Sequence, residues 1–222
     1  MEIVKAWVEV EKFDGKQIMK NLERACRTCY RSEDLIKEDS YKGLLSRAIN
    51  RGHESILEHE KITIRMYTDI GAYKDLTRHR AGTAWSIEST RYCNYSKDKF
   101  TNNIKFIDPV WMSKENKAIW KKCMGSIEKY YMQMAAGENV VTDELRMVLP
   151  HSTAAEVTMT CNIREWRHIF SLRCAKMSHP SIRQVLIPVL LLFKKEMPEL
   201  FDKVEYDTDF KPEWYADIRY ME

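Results

Sequence analysis

The chain has 222 residues, 36 Lys plus Arg against 33 Asp plus Glu, and a net charge of only +3, which argues against a dedicated nucleic-acid binder with its strongly basic face. Hydrophobic residues at 44% and charged ones at 31% are ordinary for a folded protein long enough to bury a core without disulfides or metals. Its seven glycines write neither G-x-G-x-x-G nor a Walker A loop, so side chains must hold the phosphates of any nucleotide bound here.

Along the chain, Ile3 to Val10 is apolar and β-branched and reads as an opening strand. Asp14-Gly15 is a turn, and Lys16 to Arg31 carries Ile18, Leu22, Ala25, Cys26 and Cys29 at helical spacing. Tyr41 to Arg51 is a second helix, stopped by Gly52 as a C′ glycine. His53 to His59 is short and ambiguous, Lys61 to Tyr67 alternates as a strand, and Tyr73 to Arg78 reads as a short helix. Ala81 to Lys99 has no sustained period, and a long irregular stretch inside a compact domain is often functional. Ser113 caps a long helix to Ala136 with Ile119, Trp120, Cys123, Ile127, Tyr130, Tyr131 and Met134 as its apolar stripe. Thr142 to Val148 is a short helix closed before Pro150, and Ala154 to Cys161 is a strand. Asn162 caps a helix over Ile163 to Arg173, with Glu165 at N3 in a capping-box arrangement. The last helix spans His179 to Phe201, with Pro180 in its first turn and a kink expected at Pro188.

Strands and helices do not alternate strictly, so the expected class is α+β: one domain over 1–222, with a mixed or antiparallel sheet flanked by long helices. The longest apolar run, Val185 to Phe193, contains Pro188 and falls short of the ~20 residues of a membrane span. Met1 to Lys5 shows no signal-peptide core. The six scattered cysteines are expected as reduced thiols, and the protein as cytoplasmic.

Arg78-His79-Arg80, followed by Ser86-Ile87-Glu88-Ser89-Thr90-Arg91-Tyr92, gathers cationic groups beside hydroxyls and a carboxylate. In extended geometry Arg78 and Arg80 point to one side, where two guanidiniums repel unless an anion such as phosphate lies between them. A solvated basic loop is the plain alternative. On the Ile163–Arg173 helix, Trp166, Ile169 and Phe170 define the apolar face and Arg173 falls on that side, while Arg164 and His168 share another. An arginine on the core side needs a partner, either a bound anion or polar ligand or the carbonyls of a helix end. Cys26 and Cys29 read as core, His53 and His59 do not share a helix face, and no metal site is expected.

Taken together, these segments resemble the flavin-dependent thymidylate synthases, in order along most of the chain. His53-Glu-Ser55-Ile-Leu-Glu58-His59 is similar to the family's early H-x-[ST]-x-x-E-H segment. Arg78-His79-Arg80 with Ser89-Thr90-Arg91-Tyr92 resembles its signature, Arg146-Met-Val-Leu-Pro150 its R-x-V-L-P element, and Asn162-Ile-Arg164 with His168 and Leu172-Arg173 its Asn-x-Arg…Leu-Arg helix. Two departures stand out. Eight residues, not seven, separate Arg80 from Ser89, so Glu88 immediately precedes the serine and Ile87 occupies the usual place of the carboxylate. His168 stands where the family commonly has Asn.

The resemblance implies a homotetramer with shared sites, FAD as cofactor, NADPH as reductant, methylenetetrahydrofolate as carbon donor and dUMP as acceptor. It assigns FAD to Ser55, Arg78, His79, Arg80, Glu88, Asn162, Arg164 and His168, with Arg78 near both ligands and His53 beside flavin and folate. It assigns dUMP to Arg78, Glu88, Ser89, Thr90, Arg91, Arg146 and Arg173, with Arg173 at the uracil as the catalytic group. Two readings of other classes stand beside it: a non-catalytic flavin- or nucleotide-binding regulator, and an RNA-binding module using Arg and Tyr stacking.

Overall fold

A computed structural model describes all residues, 1–222. The expected opening strand is two strands: β1 (Glu2–Val4) and β2 (Trp7–Val10). They enter different sheets, so the chain breaks its strand at Lys5-Ala6 to change partners. Then come α1 (Gly15–Thr28), capped by the Asp14 side chain on the Gln17 N–H, and α2 (Ser40–Asn50). Gly52 ends α2 at φ 76°, with His53 N–H on the Ala48 carbonyl at 2.9 Å and Gly52 N–H on the Ile49 carbonyl at 3.0 Å. That pair of bonds is a Schellman cap, which favours glycine because its φ is positive. Ser55–His59 forms a 3-10 turn.

β3 (Lys61–Asp69) follows, then α3 (Ile70–Leu76). The sequence placed α3 about one turn later; Asp69 starts it early by accepting the Ala72 N–H at 2.7 Å. The stretch expected to be irregular contains β4 (Thr83–Ile87). After it come β5 (Lys105–Ile107), α4 (Lys114–Ala135), α5 (Thr142–Leu145), β6 (Ala154–Asn162) and α6 (Ile163–Arg173). The expected final helix divides at Met197 into α7 (Pro180–Glu196) and α8 (Pro198–Phe201), and β7 (Asp217–Tyr220) closes the chain.

The main sheet has the order β4-β6-β3-β2-β7, antiparallel except for the parallel β2–β7 pair, so the α+β expectation holds. One face carries α6 and α7, whose middle from Val185 to Phe193 is apolar throughout; Trp166, Phe170, Phe193 and Phe201 pack there with ring centroids 5.2–5.9 Å apart. Pro188 lies within α7 and has no N–H for the Gln184 carbonyl. That orphaned acceptor takes the Ala216 N–H instead, at 2.9 Å, which anchors the approach to β7.

A smaller core forms under α4 from Tyr95, Ile104, Phe106, Met124, Tyr131 and Leu145. The apolar stripe expected on α4 divides: Trp120, Ile127 and Tyr131 face this core, whereas Ile119, Cys123, Tyr130 and Met134 are exposed. Cys26 is buried as expected, but Cys29 is exposed because it lies past the end of α1. No helix is long and apolar enough to cross a membrane.

Candidate functional site

The site is organised by the passage from β6 into α6. Asn162 caps α6 by accepting the Glu165 N–H at 2.8 Å. Its own N–H reaches the Gly82 carbonyl at 3.1 Å, and Gly82 has φ 63°. A Cβ at Gly82 would lie 2.0 Å from the Asn162 side-chain amide, so the 80–82 turn and the start of α6 interlock. The capping box is therefore only half made, because Gly82 has taken the N–H that a glutamate would accept.

The carboxylate of Glu165 turns inward instead. It meets Nδ1 of the buried His79 at 3.0 Å, and Arg173 Nε donates to His79 Nε2 at 3.0 Å. A second Arg173 nitrogen donates to the Asp75 carbonyl at 3.1 Å; Nη1 makes no hydrogen bond within the chain. Burial holds the His79 pKa below its ordinary value, Glu165 pulls it up, and Arg173 and His168 push it further down. The partner open in the sequence, a ligand or a carbonyl, is thus an imidazole plus a carbonyl of α3. His168 lies edge-on to His79, ring centroids 5.4 Å apart. One ligand atom each from His79, Glu165 and His168 falls within 4.8 Å of the others, but the guanidinium on His79 Nε2 opposes a cation there.

Outside this buried chain lies a cleft of about 820 Å³, lined by Ala81, Gly82, Asn162, Arg164, Glu165 and His168, among others. Arg164 and His168 share the exposed face of α6, as expected. Arg164 pairs with Glu58 at 2.6 Å and Arg167 with Glu54 at 3.3 Å. His53 and Ser55 are exposed on either side of Glu54, in the segment that walls the cleft. Arg78 and Arg80 are exposed and flank the buried His79.

The sequence model of the thymidylate synthase complementing protein family matches residues 14–199. The chain belongs to this family. A flavin-dependent thymidylate synthase of Geobacter sulfurreducens is 26% identical over 184 residues, covering 80% of this chain and 78% of the relative. One from Pyrococcus abyssi is 29% identical over 156 residues, covering 69% of this chain and 63% of the relative. In fold the chain is similar to the Helicobacter pylori flavin-dependent thymidylate synthase solved with FAD and dUMP, with TM-score 0.71, 18% identity, and 89% and 99% of the two chains covered. A UMP/dUMP methylase of Streptomyces cacaoi, bound with 5-Br dUMP, gives TM-score 0.70 at 22% identity over 91% and 96%.

The remaining family-motif residues lie beyond β4. Ser89 Oγ accepts the Arg91 N–H at 3.3 Å, and the exposed Arg91 pairs with Asp143 at 3.2 Å. Thr90 is half-buried, and Arg146 is exposed at the turn after α5. The extra residue before Ser89 is not absorbed by a bulge: β4 pairs with β6 one-to-one from Thr83 to Ile87, and the Glu88 N–H extends the ladder to the Glu156 carbonyl at 2.8 Å. The Glu88 carboxylate turns towards Tyr95, whose hydroxyl it accepts at 2.9 Å, and also accepts the Glu156 N–H at 3.2 Å. It lines a separate cavity of about 230 Å³ with Tyr67 and Tyr95. The structure thus brings His79, His168 and Arg173 together and gathers Asn162, Arg164 and His168 on the cleft, while Glu88 has its own partners.

Sequence reasoning took Glu165 only as the N3 partner of a capping box, although a second signal was present. Glu165, Ile169 and Arg173 lie at i, i+4 and i+8, so the carboxylate shares the inner face that marked the arginine.

Proposed function

We infer that this chain is a flavin-dependent thymidylate synthase, which methylates dUMP to dTMP with methylenetetrahydrofolate as carbon donor, NADPH as reductant and FAD as cofactor. The observation that carries the reading is Arg173. In a chain of this family, it is a half-buried guanidinium tied at two nitrogens with the third unengaged.

The donor set fits FAD. Arg78 and Arg80 are exposed and form no ion pair, and Arg80 directly precedes Ala81 and Gly82 in the wall of the cleft, so their positive charge is available to phosphate. Asn162, Arg164 and His168 add amide, guanidinium and imidazole donors, and the exposed His53 and Ser55 flank Glu54, which lines the cleft. The volume of about 820 Å³ lies within the ~300–1,000 Å³ of small-molecule sites. Bound FAD, once reduced by NADPH, supplies the hydride, and the protein mainly orients the rings.

For the nucleotide, Ser89, Thr90, Arg91 and Arg146 hold the phosphate, and Arg91 exchanges Asp143 for it. Arg78 stands between the two ligands. Arg173 sits beside uracil N3 and O2, where its charge favours the N3-deprotonated ring and drives electron density to C5. A guanidinium does not give up its proton, so this role is electrostatic. Glu88 acts on the nucleotide through the segment it anchors to Tyr95 and Glu156.

The proposed assembly is a homotetramer in the cytoplasm. Ile119, Tyr130 and Met134 on the outer face of α4 are 68%, 58% and 36% exposed, an apolar surface that supports burial against another copy. Purified protein should show the yellow flavin spectrum, bleach with NADPH under anaerobic conditions and convert dUMP to dTMP. Colourless protein that fails to take up FAD in titration removes the basis for the reading. A flavin that NADPH bleaches without any dTMP being formed supports the regulator instead.

A further inference from the structure

Glu165 is 8% exposed and His79 6%, and each is engaged with the other in the interior. The proton positions follow from the partners. Arg173 Nε carries a hydrogen and only donates, so His79 Nε2 must be the acceptor of that 3.0 Å bond. A neutral imidazole then bears its hydrogen on Nδ1, and Nδ1 lies 3.0 Å from the Glu165 carboxylate. Without a carboxylate at Nδ1 the ring is free to carry its hydrogen on Nε2, where it would meet the Arg173 N–H donor to donor. The guanidinium would lose one of its two anchors and turn about the other, the Asp75 carbonyl. A buried acid that fixes a histidine tautomer is a known way to hold a reacting group in place.

We propose that Glu165 is a positioning residue for the methylation: through His79 it holds Arg173 by its Nε edge and leaves Nη1 for the nucleotide. This rests on the reading of the chain as a flavin-dependent thymidylate synthase with Arg173 at the uracil. It also gives one residue two neighbourhoods, because Glu165 lines the cleft offered to FAD while its carboxylate sets the arginine offered to dUMP.

Two measurements test it. A long-range proton–nitrogen spectrum of the histidines, made on the protein without added substrate, should find His79 neutral with its hydrogen on Nδ1 at neutral pH. A hydrogen on Nε2, or a charged ring, overturns the proposal whatever the enzyme does. In steady-state methylation, Glu165→Leu should lower kcat by about 10- to 100-fold, by analogy with the loss of a partner that orients a metal-bound histidine. Glu165→Gln keeps an oxygen to accept the Nδ1 hydrogen and should retain most of the rate, which also covers a Leu variant that does not fold. Because both residues act through one guanidinium, Glu165→Leu with Arg173→Lys should be no slower than Arg173→Lys alone. Additive losses, or full kcat in Glu165→Leu, overturn the inference while leaving the enzyme assignment standing. A wild-type protein that binds FAD but never turns over dUMP or its ribonucleotide overturns the assignment and takes the inference with it.

Discussion

Arg173→Lys keeps the positive charge and removes the planar fork. In the structure the guanidinium reaches two acceptors on different elements, His79 Nε2 at 3.0 Å and the Asp75 carbonyl at 3.1 Å. One ammonium on a flexible stem cannot serve both and also face the nucleotide. The His79 acceptor is buried, so leaving it unpaired costs roughly 1–3 kcal/mol. Against a typical stability of about 5–15 kcal/mol the variant should still fold. FAD binding should survive, because Arg164 and His168 lie on the other face of α6. Losing one preorganised electrostatic contact costs about 3–4 kcal/mol in the barrier, so dTMP formation should fall by roughly 100-fold or more. NADPH oxidation by the flavin does not use the uracil and should be affected far less. The assay is therefore a pair: anaerobic bleaching of the flavin by NADPH, and dTMP formation from dUMP. Equal loss in both, or a chain that no longer folds, would show that Arg173 is a structural residue.

Three more outcomes follow from the same geometry. Gly82→Ala combines a positive φ with a clash on the Asn162 amide, so it should cost about 2 kcal/mol from backbone strain and a weakened N-cap; a urea midpoint equal to wild type refutes the interlock. Ser89→Ala should weaken dUMP binding yet keep measurable turnover, because Ser89 Oγ meets the Arg91 N–H rather than a histidine base; a trapped Ser89–nucleotide adduct on the productive path rules this out. The depressed pKa of His79, faced by Glu165, Arg173 and His168, makes a stability contribution that is complete above about pH 6.5 and is lost as pH falls from there through the lower folded-state value, since the unfolded chain takes the proton first. His79→Gln should flatten that part of the urea-stability profile, and an unchanged slope counts against a buried neutral His79.

Local signals carried much of the fold. The α6 boundaries, the Asn162 cap, the Ser113 cap of α4 and the Gly52 stop depend on neighbours within a few residues, which a sequence displays directly. β4 was hidden because Thr83, Trp85 and Ile87 are its half-buried positions while Ala84 and Ser86 are exposed, so polar Thr and apolar Ala blur the alternation. β7 offered even less: every residue of Asp217–Tyr220 is exposed, and the strand exists through pairing with β2. In the site, each motif was visible, but the contact of Glu165 with His79 joins residues 86 apart. Register along the chain cannot report that, nor can it tell that Glu88, one place out of its usual position, is occupied by Tyr95.

The order in which the ribosome delivers these pieces gives the Pro188 gap a temporal meaning. The acceptor left on Gln184 has no protein partner until Ala216 is made, and the free edge of β2 stays open until Asp217–Tyr220 arrive. At ~5–20 residues per second, the roughly 200 residues between β2 and β7 take on the order of 10–40 s to synthesise. Once β3 is made, the nascent sheet presents β2, with Trp7, Val8 and Val10, as its edge, in place of the exposed β7 edge with its Asp217 and Arg219. The late segment is therefore a cap on a folding intermediate as well as a part of the finished sheet. Stalling or proteolysis just before residue 216 should leave a chain more prone to aggregate than one that carries β7.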